Sequence, residues 1–261
     1  MKLPIFQIDA FTDHLFGGNP AAVVPLDSWL PDEVLAAIAA ENNLSETAFV
    51  IPGLGEIPLR WFTPTVEMDL CGHATLAAAH VLFRHFTPSV DRLTFVTHSG
   101  NLTVTTDADR LTLDFPARPG ISLEISEEVV SALGSRPREV LLARDLLAIF
   151  DRESDVKDLQ PDFARIAALD ALGVIVSAPG ETVDFVSRFF APAAGVPEDP
   201  VTGSAHCTLV PYWAARLGKS SLTAKQLSAR GGDLSCRLLG DRVLMSGSAV
   251  EYLRGEIDVV V

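Results

Sequence analysis

The chain has 261 residues, 48% hydrophobic and 21% charged, which supplies a substantial core for one large domain or two of ordinary size. A formal charge of −14, from 34 acidic and 20 basic residues, repels phosphate backbones, and no basic cluster with interleaved aromatics offsets it, so nucleic acid is excluded as a partner. Three cysteines without a CxxC argue against a disulfide framework or a zinc site, no apolar run reaches the roughly 18 residues of a membrane span, and the N-terminus lacks the segments of a signal peptide, which points to a cytoplasmic protein.

From the N-terminus, Met1–Asp9 alternates like a strand, and Ala21–Val24 and Thr47–Ile51 read as further strands. Gly17-Gly18-Asn19-Pro20 is a glycine-rich turn, without the lysine of a phosphate loop or the spacing of a dinucleotide fingerprint. Ser28 is placed to cap a helix with Pro31 in its first turn and Val34, Leu35, Ile38 and Ala39 on one face, ending at Glu41-Asn42-Asn43. Strands follow at Leu59–Phe62, Arg92–Thr97, Leu102–Thr106 and Leu111–Phe115. Pro116-Ala117-Arg118-Pro119-Gly120 then closes a first half, residues 1–117.

The second half, 118–248, repeats the style. A short helix covers Ser126–Leu133, and strands lie at Glu139–Leu142 and Leu146–Phe150. A helix carrying Val156, Leu159, Phe163 and Ile166 is broken at Pro161. Strands return at Gly173–Ser177 and Val183–Phe190, and Arg237–Leu239 with Val243–Ser246 form a hairpin over Gly240-Asp241. The tail, 249–261, returns to the first half, with Glu256–Val261 as strand or helix.

One pattern occurs twice. Arg60-Trp61-Phe62-Thr63-Pro64 leads to Glu67 and then Gly72-His73-Ala74; Arg188-Phe189-Phe190-Ala191-Pro192 leads to Glu198 and then Gly203-Ser204-Ala205. Five residues separate acid from glycine in both copies, and the second has three extra residues after the proline. A repeat of this period is a duplicated domain rather than a solenoid unit of about 20–50 residues. Each copy runs into a helix that is apolar nearly all round, Ala74–Phe83 and Ala205–Ala215, which requires protein on every side. Pro211 predicts a kink in the second. The expected fold is α+β, two pseudo-symmetric halves, each a barrel-like, mostly antiparallel sheet around one central helix. Small-molecule sites favour the cleft between such halves.

A glycine at a helix start lets first-turn N–H groups approach an anion closely. Where the copies differ, His73 matches Ser204, Cys71 matches Thr202, Glu67 matches Glu198, and the second copy alone adds Asp199. A histidine at a helix start is disfavoured as a cation, so His73 is expected to be neutral. Glu46 opens an apolar strand, where a partly desolvated carboxylate serves either as a strand-end residue or as a general acid or base.

Phe6–Phe11, Gly17–Ala21, Asn43–Phe49, Arg60–Pro64, Leu70-Cys71-Gly72-His73-Ala74-Thr75 and Gly195–Ala205 together resemble the phenazine-biosynthesis PhzF-like family of isomerases, in order from residue 6 to about residue 249. That resemblance implies the diaminopimelate-epimerase fold and a cofactor-free, metal-free isomerase that moves a proton between carbons of a small carboxylate-bearing substrate. By motif match the proton carrier is Glu46. Asp199 and His73 are its polar partners, and Gly72, Gly203 and Ser204 hold the carboxylate. It also implies a homodimer. Two alternatives stand beside it. A two-thiol racemase or epimerase needs a cysteine in each copy, and Thr202 stands where the second is due. A non-catalytic metabolite-binding protein would have no use for Glu46, His73 and Asp199 together.

Overall fold

Alternation at the N-terminus becomes β1 (Lys2–Ala10), followed by β2 (Asn19–Pro25), α1 (Asp32–Asn42), β3 (Glu46–Val50), β4 (Glu56–Phe62), β5 (Glu67–Met68) and α2 (Gly72–Val81). The chain continues with β6 (Arg92–Thr97), β7 (Gly100–Asp107), β8 (Arg110–Pro116), β9 (Ile121–Leu123), α3 (Glu127–Leu133), β10 (Glu139–Leu142) and β11 (Leu146–Ile149). Next come α4 (Glu153–Lys157), α5 (Phe163–Ala167), β12 (Val174–Pro179), β13 (Phe185–Ala191), β14 (Val196–Asp199) and α6 (Gly203–Leu217). The last elements are β15 (Ser221–Gln226), β16 (Gly232–Leu239), β17 (Arg242–Gly247) and β18 (Ala249–Asp258). These elements are those of a computed structural model, which describes residues 1–260. The chain divides into two units, Met1–Asp114 with Ser246–Val261, and Phe115–Met245.

In the first unit β1 pairs antiparallel with β18 and β2, β2 parallel with β3, and β3 antiparallel with β4. Strand β4 then pairs antiparallel with β5 and parallel with β6, which leads antiparallel to β7 and β8. The second unit repeats these senses strand for strand. β10–β11 is antiparallel, β11–β12 parallel, β12–β13 antiparallel, β13–β14 antiparallel, β13–β15 parallel and β15–β16 antiparallel. The duplication visible in the sequence is therefore a duplication of topology.

All ten residues of α2 are buried, and the helix packs against β1, β2, β3 and β18. In the second unit α6 buries nine residues and packs against β15 and β16. The helix runs on through Pro211. That proline has no N–H for the Cys207 carbonyl four residues earlier, and the Arg118 amide donates to it instead at 2.8 Å. The Pro116–Gly120 segment thus supplies the bond that the proline removes. Trp213 fixes the helix to the sheet: its indole N–H donates to Ser177 Oγ at 2.9 Å, and its ring stacks on Phe185.

Several elements differ from the sequence reading. Helix α1 starts after Pro31, whose carbonyl accepts from Val34 and Leu35, and Ser28 makes no cap. Asn43 ends it with φ 49°. Leu35, Ile38 and Ala39 join Val24, Phe49 and Phe62 in one apolar cluster. Helix α2 begins at Gly72, two residues before the expected start, and continues as a π-helical turn over Leu82–Phe86. Strands β5, β9, β14 and β15 have no counterpart in the sequence reading. The tail is strand from Ala249, paired with β1, and Val261 lies outside the described residues. Pro161 does separate two short helices, α4 and α5.

Ser126 caps α3, its Oγ accepting from the Val129 amide at 3.3 Å, while Gly134 closes the helix with φ 72°. Ser126→Ala is expected to cost about 1 kcal/mol, read from urea denaturation. Among the described residues no helix is long and apolar enough to cross a membrane.

Candidate active site

Parallel pairing of β2 with β3 sets Ala21 opposite Glu46, and Asn19, two residues earlier, lies on the same face of β2. The turn before it needs Gly18, with φ 61°, where a Cβ would collide with the Ala10 carbonyl oxygen. The start of α2 faces these strand ends. His73 Nε2 lies 3.1 Å from Glu46 Oε2, and its Nδ1 lies 3.0 Å from the Asn19 amide nitrogen and 3.6 Å from Cys71 Sγ. The His73 side chain is 3% exposed and that of Glu46 12%. Oε2 and Nε2 are both shielded from water, yet neither makes an aligned hydrogen bond. A ligand group reaching this spot would find both atoms ready to bond.

The expectation of a neutral His73, drawn from the helix start, meets an opposing influence. Burial works against a charged imidazole, but Cys71 and the Glu46 carboxylate outweigh it and hold its pKa well above the ordinary histidine value. Burial and the Glu46 charge push Cys71 up to about 11, so it is an uncharged thiol at neutral pH. The lasting counter-charge is Glu46.

The matched acids of the two copies have another task. Arg60 grips Glu67 with two bonds, Nε to Oε1 and Nη2 to Oε2, both 2.7 Å. Arg188 grips Glu198 in the same way, at 2.7 and 3.0 Å. Glu67 and Glu198 therefore brace the strands that lead into each helix, and neither is free for chemistry.

In the second unit, α6 opens with Gly203 and Ser204 after Thr202, whose side chain leaves the first-turn amides uncapped. The Thr202 hydroxyl donates to Asp199 Oδ2 at 2.5 Å. Gln226, fully buried, accepts from the Thr202 amide at 2.9 Å and donates to the Asp199 carbonyl at 2.8 Å and to Thr202 Oγ1 at 3.1 Å. Glu46, His73 and Gly72 thus gather in the first unit, and Asp199, Gly203 and Ser204 in the second. Sequence reading missed Asn19 and Gln226. Asn19 was visible only as part of a turn, and Gln226 sits at the end of a short strand whose buried positions otherwise hold apolar residues. Gln226→Ala strands the Thr202 amide and is expected to cost about 1–3 kcal/mol, with faster hydrogen exchange at Thr202.

His206, one residue into the buried stretch of α6, is wholly enclosed. Its Nδ1–H donates to the Thr202 carbonyl at 2.8 Å, and Nε2 has no partner. Burial, against the Thr202 bond, pushes its pKa down from 6.5 to about 4. Between those values the unfolded chain binds the extra proton. Stability is therefore full above pH 6.5 and falls as pH drops toward 4, by on the order of 3 kcal/mol from this group. Urea midpoints across that range check it, with His206→Gln flattening the slope.

Register exposes the asymmetry between the units. Arg60 pairs with Phe49, and Arg188 with Val176. Three residues before each partner stand Glu46 and Gly173. The second unit therefore has Gly173, Thr202 and Ser204 where the first has Glu46, Cys71 and His73. A symmetric two-thiol site is absent from these matched positions. Cys207 is no substitute, since burial pushes its thiol up to about 12.

The family model for phenazine biosynthesis-like proteins (PhzC-PhzF) matches residues 8–255. A Pseudomonas aeruginosa protein named as an uncharacterized isomerase is 54% identical over 258 residues, covering 98% of this chain and 99% of its own. A crystal structure of a PhzF-family phenazine biosynthesis protein from Enterococcus faecalis superposes with TM-score 0.96 at 46% identity, covering 99% of this chain and 100% of the other. At 18% identity, a predicted epimerase from P. aeruginosa shares the fold, with TM-score 0.75 over 98% of this chain and 99% of its own. On the match along almost its whole length, the chain belongs to the phenazine biosynthesis-like PhzC-PhzF family.

Proposed function

We propose that the protein is an isomerase that moves a proton between carbons of a small carboxylate-bearing metabolite, with Glu46 as the carrier and no cofactor. The observation that carries this reading is the Glu46–His73 contact, two solvent-shielded polar atoms 3.1 Å apart with no aligned partner. Glu46 takes the proton from a carbon beside the carboxylate or an enamine and returns it to another carbon. His73 offers its Nε2–H as a hydrogen bond to charge that develops on the substrate. Uncapped amides at Gly72, and at Gly203 and Ser204 in the second unit, suit a carboxylate. Asp199, fixed by Thr202 and Gln226, is a further polar group for the substrate.

The lack of an acid at Gly173 favours one carrier over a two-base racemase. Incubating the protein with a panel of small unsaturated and amino carboxylates in D2O tests the reading. Deuterium at carbon, together with a shifted double bond or epimer in the product, is the expected result. No exchange with any member of a broad panel, from protein that binds them, would favour the metabolite-binding alternative. We also propose the homodimer that the resemblance implies, checked by light scattering.

A further inference from the structure

The cluster that Glu46 and His73 form includes a third side chain that proton transfer does not use. Cys71, the residue before α2, is buried, and its Sγ, one imidazole nitrogen of His73 and one carboxylate oxygen of Glu46 all lie within 4.8 Å of one another. We propose that these three residues form a binding site for a single thiophilic divalent cation of the zinc class, which on the isomerase reading above blocks the site reversibly. Sulfur, imidazole and carboxylate together form a borderline-soft set that suits zinc or cobalt better than magnesium or calcium.

A second observation points to a ligand at the same spot. Glu46 Oε2 and His73 Nε2 are shielded from water, face each other and lack aligned partners, so neither atom is committed to a bond within the chain. Tetrahedral zinc keeps its ligands roughly 3.3–3.8 Å apart, so Oε2 and Nε2, 3.1 Å apart, already have about that spacing, and bringing Cys71 Sγ inward by about 1 Å completes a three-ligand site with one position left for water. Asn19 lies beside Nδ1, and with its amide turned so that Oδ1 accepts from Nδ1–H it leaves Nε2 as the ligating nitrogen and orients the ring. Binding expels the Cys71 thiol proton and the His73 Nε2 proton to solvent, and the metal–sulfur bond forms on the resulting thiolate. Affinity should therefore rise with pH.

The test is titration of reduced, chelator-treated protein with Co2+, followed by absorbance. One Co2+ per chain with a thiolate-to-cobalt charge-transfer band is expected. Cys71→Ala and Cys71→Ser should abolish the band and weaken binding at least tenfold, while Cys207→Ala keeps both. A band that survives in the Cys71 variants, or its absence from the wild-type protein, overturns the site. The readout needs no turnover, so a failed isomerase reading leaves it intact, and its own failure leaves proton transfer by Glu46 standing.

Discussion

Glu46→Gln is expected to lower carbon–hydrogen exchange by about 10²- to 10⁴-fold while leaving the binding of an unreactive carboxylate analogue little changed. The amide keeps the shape and burial of the side chain but has no basic oxygen. Initial rates by NMR and affinity by calorimetry separate the two effects. The geometry makes the prediction sharp. Glu46 opens β3 beside His73, with no second acid at the matched place in the other unit, where Gly173 stands. A variant as active as wild type would remove Glu46 from the chemistry, whatever else the site does.

Arg188→Ala is expected to cost about 3–5 kcal/mol in urea denaturation, the penalty for removing one partner of a buried ion pair. Its side chain is 11% exposed and lies against Phe190, with the guanidinium carbon 4.9 Å from the ring centroid. Besides the two bonds to Glu198, it donates to the carbonyls of Leu159 at 2.8 Å and Val156 at 3.2 Å. One side chain thus ties β13 to β14 and to the α4–α5 segment. Arg188→Lys keeps the charge but loses the fork and should recover only part of the loss. Exposed pairs such as Arg84–Asp109 should cost no more than about 1 kcal/mol when broken. A loss that small at Arg188 would show the pair to be solvated.

What the sequence made legible is what depends on short range or on repetition. Two apolar helices after two glycines could only be central, because neither has a polar face to turn outward. The matched Glu-to-Gly spacing announced the duplication, which the strand senses repeat. The spacing did not announce why the acids recur: Glu67 and Glu198 are braced by the arginines seven and ten residues before them. The misreadings came from longer range. His73 stands at a helix start, but the influence that opposes it is a carboxylate brought from another strand by parallel pairing. Gln226 reaches back 24 residues to Thr202, and it is a polar residue at a buried position of an alternating strand, so nothing in its type marks it as core. Ser28 lost the cap of α1 because Pro31 already supplies the first carbonyl of the helix.

The most direct measurement follows the migrating hydrogen itself. A substrate found in the D2O screen is resynthesised with deuterium at the carbon that loses its proton and converted in ordinary water. If one shielded carboxylate ferries the atom from carbon to carbon, part of the label will appear at the new position in each product molecule. Complete loss of the label to water from the first turnover would contradict that account.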